Sequence, residues 1–218
     1  MNKRIILWGG LIVIMAIIVF AMVRIAGEEE EITEPIITEE AAEAPEILDV
    51  RENDWAKGNP DADVVIVKYS DFQCPACRFY ASFDHHVSQE LDDEVLFVRR
   101  FFPLRSFQFS RLAAQYAEAA GRQGQFWEMH DLLYINQQNW SRGDAESIFR
   151  QFAEELGLNM DQLQEDLNDP EIMERIEADY TDGQQLGIRG VPTIYINGEQ
   201  VQLPNSIDTY RDLIESYN

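Results

Sequence analysis

Val64-Val65-Ile66-Val67-Lys68-Tyr69-Ser70-Asp71-Phe72-Gln73-Cys74-Pro75-Ala76-Cys77-Arg78-Phe79-Tyr80-Ala81 is the stretch on which the fold turns. Its first six residues are β-branched or aromatic apart from Lys68, the pattern of a strand buried on both faces. From Pro75 the chain reads as a helix, with proline at the first turn, where its fixed φ fits and its missing N–H costs nothing. The junction holds the only two cysteines in the chain. Cys74 falls where free backbone N–H groups and the helix dipole favour negative charge, which lowers a thiol pKa. Cys77 follows one turn later, close enough to reach back to the Cys74 sulfur. Such a pair can trade a dithiol for a disulfide: Cys74 is the exposed sulfur that forms mixed disulfides, and Cys77 resolves them. A structural crosslink over so short a loop would stabilise little by chain entropy. A zinc site needs four ligands. Besides two cysteines the chain offers only His85, His86 and His130, the first two adjacent and diverging on a helix. No metal is expected.

Outward from this motif, strand and helix patterns alternate. Val64–Tyr69 is a strand, a helix runs from about Pro75 to Leu91, and Val95–Phe102 is a second strand ended by Pro103. Helices follow over Phe107–Ala120 (closed by Gly121), Gln125–Asn136, Asp144–Leu156 (stopped by Gly157), a short one opened by an Asn159–Gln162 capping pair, and Pro170–Gln185. Thr193–Ile196 and Glu199–Leu203 are strands joined by Asn197-Gly198, a strong hairpin signal. Ile207–Tyr217 closes the chain as a helix. The fold class is α/β, a small mixed sheet with a helical insertion at about residues 105–185.

The N-terminus sets the compartment. Lys3 and Arg4 precede an uncharged apolar run of 19 residues, Ile5 to Val23, long enough to cross a bilayer as a helix. Trp8 sits near one edge, as interface aromatics do. Residues 1–26 are read as a cytoplasmic tip and an uncleaved signal-anchor transmembrane helix, with a cleaved signal peptide as the alternative. Either way the rest of the chain is exported to the oxidising side, where disulfides are made and kept. Residues 27–54 carry twelve acidic residues and one basic residue, Arg51. They are expected to form a disordered, self-repelling spacer, although Ile32, Ile36 and Ile37 could mark a docking segment. Residues 55–218 suffice for one domain with a substantial core. Their net charge of −15, out of −23 for the chain, argues against nucleic-acid binding and against broad docking on anionic lipid.

Gly190-Val191-Pro192-Thr193 stands at the mouth of the third strand, where proline is awkward and an X–Pro bond is a candidate for the cis form. Local sequence alone would favour an ordinary trans proline. Taken with Ser70-Asp71-Phe72-Gln73-Cys74-Pro75-Ala76-Cys77, with Phe126-Trp127-Glu128-Met129-His130-Asp131-Leu132-Leu133, and with Gly187-Ile188-Arg189-Gly190-Val191-Pro192-Thr193, the chain resembles the DsbA-like branch of the thioredoxin superfamily from about Trp55 to Tyr217. The resemblance implies a thioredoxin fold with a helical insertion. It implies a cis Pro192 beside Cys74 and Cys77, and a Val191 backbone that pairs with an incoming peptide. Pro75 and Ala76, between the cysteines, would support the site. No cofactor is implied beyond the redox pair itself. Reduced exported proteins would be the substrates, and a membrane quinone-linked reoxidase of the DsbB or VKOR type the partner. Proline after Cys74 and valine before Pro192 resemble the oxidising branch. A reductase or isomerase, or a non-catalytic anchored binding module, are the alternatives.

One position departs from the family pattern. Many members carry a buried carboxylate six residues before the first active-site cysteine, where this chain has Lys68. Two placements are open. An ammonium turned toward Cys77 would favour thiolate and make the disulfide more oxidising. Alternatively, the stem lies along the core edge and the head reaches water.

Overall fold

In the computed structural model, residues 46–218 are described, apart from Asp92. The apolar run and most of the acidic stretch therefore lie outside the described residues. A 3-10 turn at Glu46–Leu48 leads to five strands and eight helices. The elements are β1 (Trp55–Gly58), β2 (Val64–Ser70), α1 (Pro75–Glu90), β3 (Val95–Phe101), α2 (Ser110–Arg122), α3 (Phe126–Ile135), α4 (Gln137–Trp140), α5 (Ala145–Glu155), α6 (Met160–Asn168), α7 (Pro170–Gln185), β4 (Thr193–Ile196), β5 (Glu199–Gln200) and α8 (Ile207–Glu215). The sheet order is β1-β3-β2-β4-β5. β2 and β3 are parallel, joined by α1, and the other pairings are antiparallel. This is a thioredoxin-fold sheet with a helical insertion, α2 to α7, between β3 and β4.

β2 is central and buried on both faces, which explains its near-continuous apolar run. Ile66 and Ile194 pack with Phe83, Val87, Tyr210 and Ile214 of α1 and α8. Val67, Tyr69 and Tyr195 face the other way, with Leu48, Phe102 and Tyr180. Phe72 and the cysteines join a third core, built mainly by the insertion around Tyr116, Met129, Trp140 and Phe149. The redox motif thus sits where the sheet meets the insertion. The hairpin forms as expected: Asn197 and Gly198 both have positive φ (47° and 83°), as a type I′ turn demands. β5 ends at Gln200, short of the expected Leu203.

Three expectations need correction. The spacer does not extend to residue 54. Residues 46–54 fold onto the domain, because Leu48 is buried and buried charges receive the rest. Arg100 of β3 donates to Asp49 O (2.6 Å) and Asp54 (2.7 Å), and Arg51 pairs with Asp179 (2.6 Å) and Asp182 (2.8 Å) of α7. Second, Trp55–Gly58 is an edge strand, β1, that the sequence reading missed: four residues with half-exposed side chains leave no period to detect. Third, Gly121 does not close its helix. α2 continues to Arg122, and the left-handed stop is Gly124 at φ 78°. Gly121 is small because Trp55 lies on it: a Cβ there would come within 2.3 Å of the indole. That indole stacks on Phe126 at 4.3 Å and donates to Glu118 at 2.6 Å.

Candidate active site

Cys74 is the N-cap residue of α1, in extended backbone, and Pro75 takes the first helical position. Ala76, like Pro75, is exposed beside it. Both cysteines are free. The strand-to-helix loop is pinned from several sides. The Asp71 carboxylate accepts from Gln73 N (2.7 Å), Leu104 N (2.8 Å) and Ser110 Oγ (2.8 Å). Gln73 Oε1 accepts from Phe109 N (2.7 Å). Gln137, on α4, donates through Nε2 to Phe72 O (2.7 Å) and Cys74 O (2.9 Å).

The two thiols are not equivalent. Cys74 is 7 % exposed and Cys77 fully buried. The Cys77 thiol and then the backbone amides of Cys77 and Ala76 stabilise the Cys74 thiolate against the opposing effect of burial, bringing its pKa down from 9.0 to about 6. Burial pushes Cys77 well above the ordinary thiol value, and the neighbouring Cys74 pushes the same way. One sulfur is therefore a ready nucleophile and leaving group near neutral pH, and the other holds its proton.

The peptide bond between Val191 and Pro192 is cis. It brings Val191 O to 3.5 Å from Cys74 Sγ, within reach of the thiol as donor. Cys74, Val191 and Pro192 thus converge, though 117 residues separate Cys74 from Val191. Cys77 Sγ accepts from Asp71 N at 3.5 Å.

Of the two expected placements of Lys68 the second is overturned, whereas the charge of Cys77 does act on it. Its head does not reach water: the residue is buried and pairs with Asp84 of α1. Asp84 in turn accepts from Tyr210 OH at 3.2 Å. Burial, followed by the charge of Arg99, lowers the Lys68 pKa to about 7. Lys68 and Asp84 line a cavity of about 40 Å³ shared with Arg99 and His130, room for a water or two. His130, held neutral by burial with a pKa of about 4, packs edge-on against Phe72 at 5.6 Å.

Asp84, Arg99 and Gln137 escaped the sequence reading, and His130 entered it only as a weighed zinc ligand and within the family-like stretch from Phe126 to Leu133. Only Arg99 left a usable signal: two consecutive arginines, Arg99 and Arg100, inside the apolar strand Val95–Phe101. A strand buried on both faces must provide partners for such charges. His85 and His86 point apart as expected, to Gln89 and to Ser82 O respectively. Beside α1 an open apolar groove of about 400 Å³ is lined by Phe79, Tyr134 and Ile135. Phe79 is 52 % and Ile135 74 % exposed, the latter two residues from Gln137.

Thiols so divided suit exchange of electrons with other thiols, the chemistry that the geometry of this chain supports. The chain belongs to the thioredoxin family, whose model, described as thioredoxin, matches residues 51–216. Several solved structures are similar to it. A thioredoxin-like oxidoreductase from Silicibacter pomeroyi DSS-3 is 28 % identical, with a TM-score of 0.66 over 76 % of this chain and 92 % of that one. BdbD from Bacillus subtilis (23 % identical, TM-score 0.66, covering 74 % and 91 %) and α-DsbA1 from Wolbachia pipientis (18 %, 0.70, covering 78 % and 94 %) share the fold. Curated sequence relatives carry another name. Na(+)/H(+) antiporter NhaA 1 of Salinispora arenicola is 35 % identical over 152 residues, and NhaA 3 of Salinispora tropica 34 % over 160. The chain matches 68 % and 72 % of its own length but spans only 22 % and 24 % of theirs. Antiport is named for polypeptides about four times the matched length.

Proposed function

We propose that this protein is a dithiol oxidase that introduces disulfides into exported proteins. The observation that carries the reading is the split between the sulfurs. A Cys74 thiolate stabilised near neutral pH lowers the free energy of the reduced protein, so the Cys74–Cys77 disulfide is a willing electron acceptor. In the reaction, a substrate thiolate attacks Cys74 Sγ and Cys77 leaves, taking up a proton. A second substrate thiol attacks the mixed disulfide, the substrate departs with its new disulfide, and Cys74 is released as thiolate. Val191, beside Pro192, offers main-chain groups to an extended segment, which suits broad recognition of unfolded chains. The exposed Phe79 and Ile135 add apolar surface close to the cysteines. Pro75 and Ala76 leave the approach to Cys74 free of bulky side chains.

The apolar run Ile5–Val23 supports anchoring of the chain by a single N-terminal span, N-terminus in the cytoplasm and catalytic domain outside. Among the described residues no helix is long and apolar enough to cross a membrane. A quinone-linked membrane reoxidase of the DsbB or VKOR type would return the dithiol to the disulfide. The test mixes oxidised full-length protein, in mild detergent, with a reduced unfolded substrate, and follows substrate disulfides together with the redox state of Cys74 and Cys77. Stoichiometric transfer of disulfide to substrate, lost in Cys74→Ser, is expected. A redox potential at the thioredoxin end of the scale, about −270 mV, would reject the oxidase reading in favour of a reductase.

A further inference from the structure

The surroundings of Cys74 differ in charge from the rest of the domain. The chain holds 40 acidic residues, yet residues 72–83, 95–117, 132–143 and 183–198 contain no Asp or Glu. These four stretches are the ones that meet at the cysteines. They are the start of α1, β3 with the loop to α2, the end of α3 with α4, and the loop that carries the cis Val191–Pro192 bond. Hydrogen bonds fasten them there. Leu104 N is held by Asp71, Phe109 N by Gln73 and Cys74 O by Gln137, and Val191 O lies 3.5 Å from Cys74 Sγ. Asp71, the acidic residue nearest in sequence, is 2 % exposed and presents no carboxylate to solvent.

The same stretches carry surface cations. Arg78 lies one turn along α1 from Cys74, its backbone N–H bonded to Cys74 O at 3.1 Å. Arg105 follows Leu104 directly, and Arg189 stands two residues before Val191, about 7 Å of chain at most. Arg105 and Arg189 are exposed and Arg78 half-buried. Arg51, Arg100, Arg122 and Arg175, away from this rim, are all held in ion pairs; among the described residues none of the three rim arginines has a carboxylate within 4.0 Å. Arg78 Nε is buried without a partner. Arg78 also lines the groove of about 400 Å³ beside α1, together with Phe79 and Ile135. The other charged or titratable groups facing that groove are His85, His86, Tyr134 and Asp131, and the Asp131 carboxylate is bonded to His130 at 2.9 Å.

The group that attacks Cys74 is a thiolate, and a domain of net charge −15 repels anions. Screening confines such effects to about 8 Å at physiological ionic strength, so a segment arriving at Cys74 responds to the rim and not to the distant acidic surface. We propose that Arg78, Arg105 and Arg189 form a recognition rim that selects substrate cysteines flanked by carboxylates, with the groove between Phe79 and Ile135 taking an apolar side chain of the same segment. This deepens the oxidase reading and rests on it. Main-chain pairing at Val191 is indifferent to side chains, whereas the arginines distinguish an acidic segment from a basic one, which meets like charge. The redox step is unchanged. Two substrate thiols give two electrons to the Cys74–Cys77 bond and leave joined as a disulfide. Of their two protons one goes to Cys77 and one to solvent, and the arginines keep theirs throughout.

The experiment uses three peptides, each with two cysteines and a leucine, that differ only in whether glutamate, glutamine or lysine flanks the cysteines. Oxidised full-length protein in uncharged detergent is mixed with each, and thiol loss is followed. Rate constants are expressed per thiolate, so that the effect of the flanking charges on the peptide's own thiols drops out. At an ionic strength of about 20 mM the glutamate peptide should react roughly tenfold faster than the lysine peptide, and the ratio should fall to about twofold at about 0.5 M. Combining Arg78→Gln, Arg105→Gln and Arg189→Gln should bring the low-salt ratio to about twofold, with the glutamine peptide still oxidised within about threefold of the wild-type rate. Arg211→Gln, which removes a cation from α8, should leave the ratio as in wild type. Should the triple variant not fold, Arg189→Gln alone should lower the ratio roughly threefold. A wild-type ratio near one at low salt, or a ratio that the rim variants do not change, overturns the assignment. Failure to oxidise any of the three peptides overturns the oxidase reading itself, and this inference with it, so the two failures are distinct.

Discussion

Replacing Cys74 with serine should change the pH dependence of stability in one redox state only. In the folded reduced protein the Cys74 pKa is about 6, against 9.0 for an unperturbed thiol. A folded pKa below the unfolded one stabilises at pH values above the unfolded value, and that stabilisation is lost as pH falls through the folded one. Linkage between those two values gives roughly 1 kcal/mol at pH 7, roughly 2–3 kcal/mol at pH 8 and almost nothing at pH 5. Cys77 does not blur this window, because its raised pKa acts only above the ordinary thiol range. The assay is urea unfolding of reduced wild type and reduced Cys74→Ser at pH 5, 7 and 8, with thiolate absorbance giving the Cys74 midpoint independently. The gap between the two proteins should widen by roughly 2–3 kcal/mol from pH 5 to pH 8. A gap constant across that range, or a thiolate midpoint above about 8, would refute the reasoning that α1 and Cys77 stabilise the thiolate.

Three other perturbations have clear expected outcomes. Gly121→Ala drives a methyl into the Trp55 indole and should cost about 1–3 kcal/mol by denaturant unfolding, with a change in tryptophan fluorescence; an unchanged midpoint would mean that Trp55 moves freely. Asp54→Asn removes the carboxylate that pairs with Arg100 at 2.7 Å and should cost about 3–5 kcal/mol at pH 7. Because the Asp54 pKa is depressed, chiefly by its hydrogen bond from Arg100 acting against burial, its stabilisation is complete above pH 3.8 and disappears as pH falls through the lower folded value, so the variant and wild type should converge in strong acid. Lys68→Met removes a buried cation coupled to Cys77 and leaves Asp84 without its partner, and the thiolate midpoint of the cysteine pair should rise; an unchanged midpoint would leave the lysine a purely structural part.

What could be read from the sequence was what local physics dictates. A β-branched run, a helix-starting proline and two thiols between them define β2, the motif and α1 without tertiary help. Asn197-Gly198 defines its own turn because few other residues tolerate positive φ in succession. Misreadings occurred where the deciding partner is remote. Gly121 looked like a helix stop because its indole neighbour comes from 66 residues earlier. Residues 46–54 looked like spacer because Arg100 and Asp179, which hold them, belong to β3 and α7. Lys68 was recognised as a departure, but its partner on α1 decides what the departure means. Composition reports that a charge is present and not whether it is paired.

Gln137 has a consequence for how the molecule can be taken apart. Its single amide nitrogen serves two carbonyl groups, those of Phe72 and Cys74, that belong to the opposite half of the fold. A minimal protein made by cutting out the helices and rejoining β3 to β4 would retain both sulfurs, the proline and the sheet. It would also expose two carbonyls at the start of α1 and release the residue that presents the nucleophile. The insertion is thus not a detachable accessory, and engineers who shorten this scaffold should keep α4 in place or supply another donor at that point.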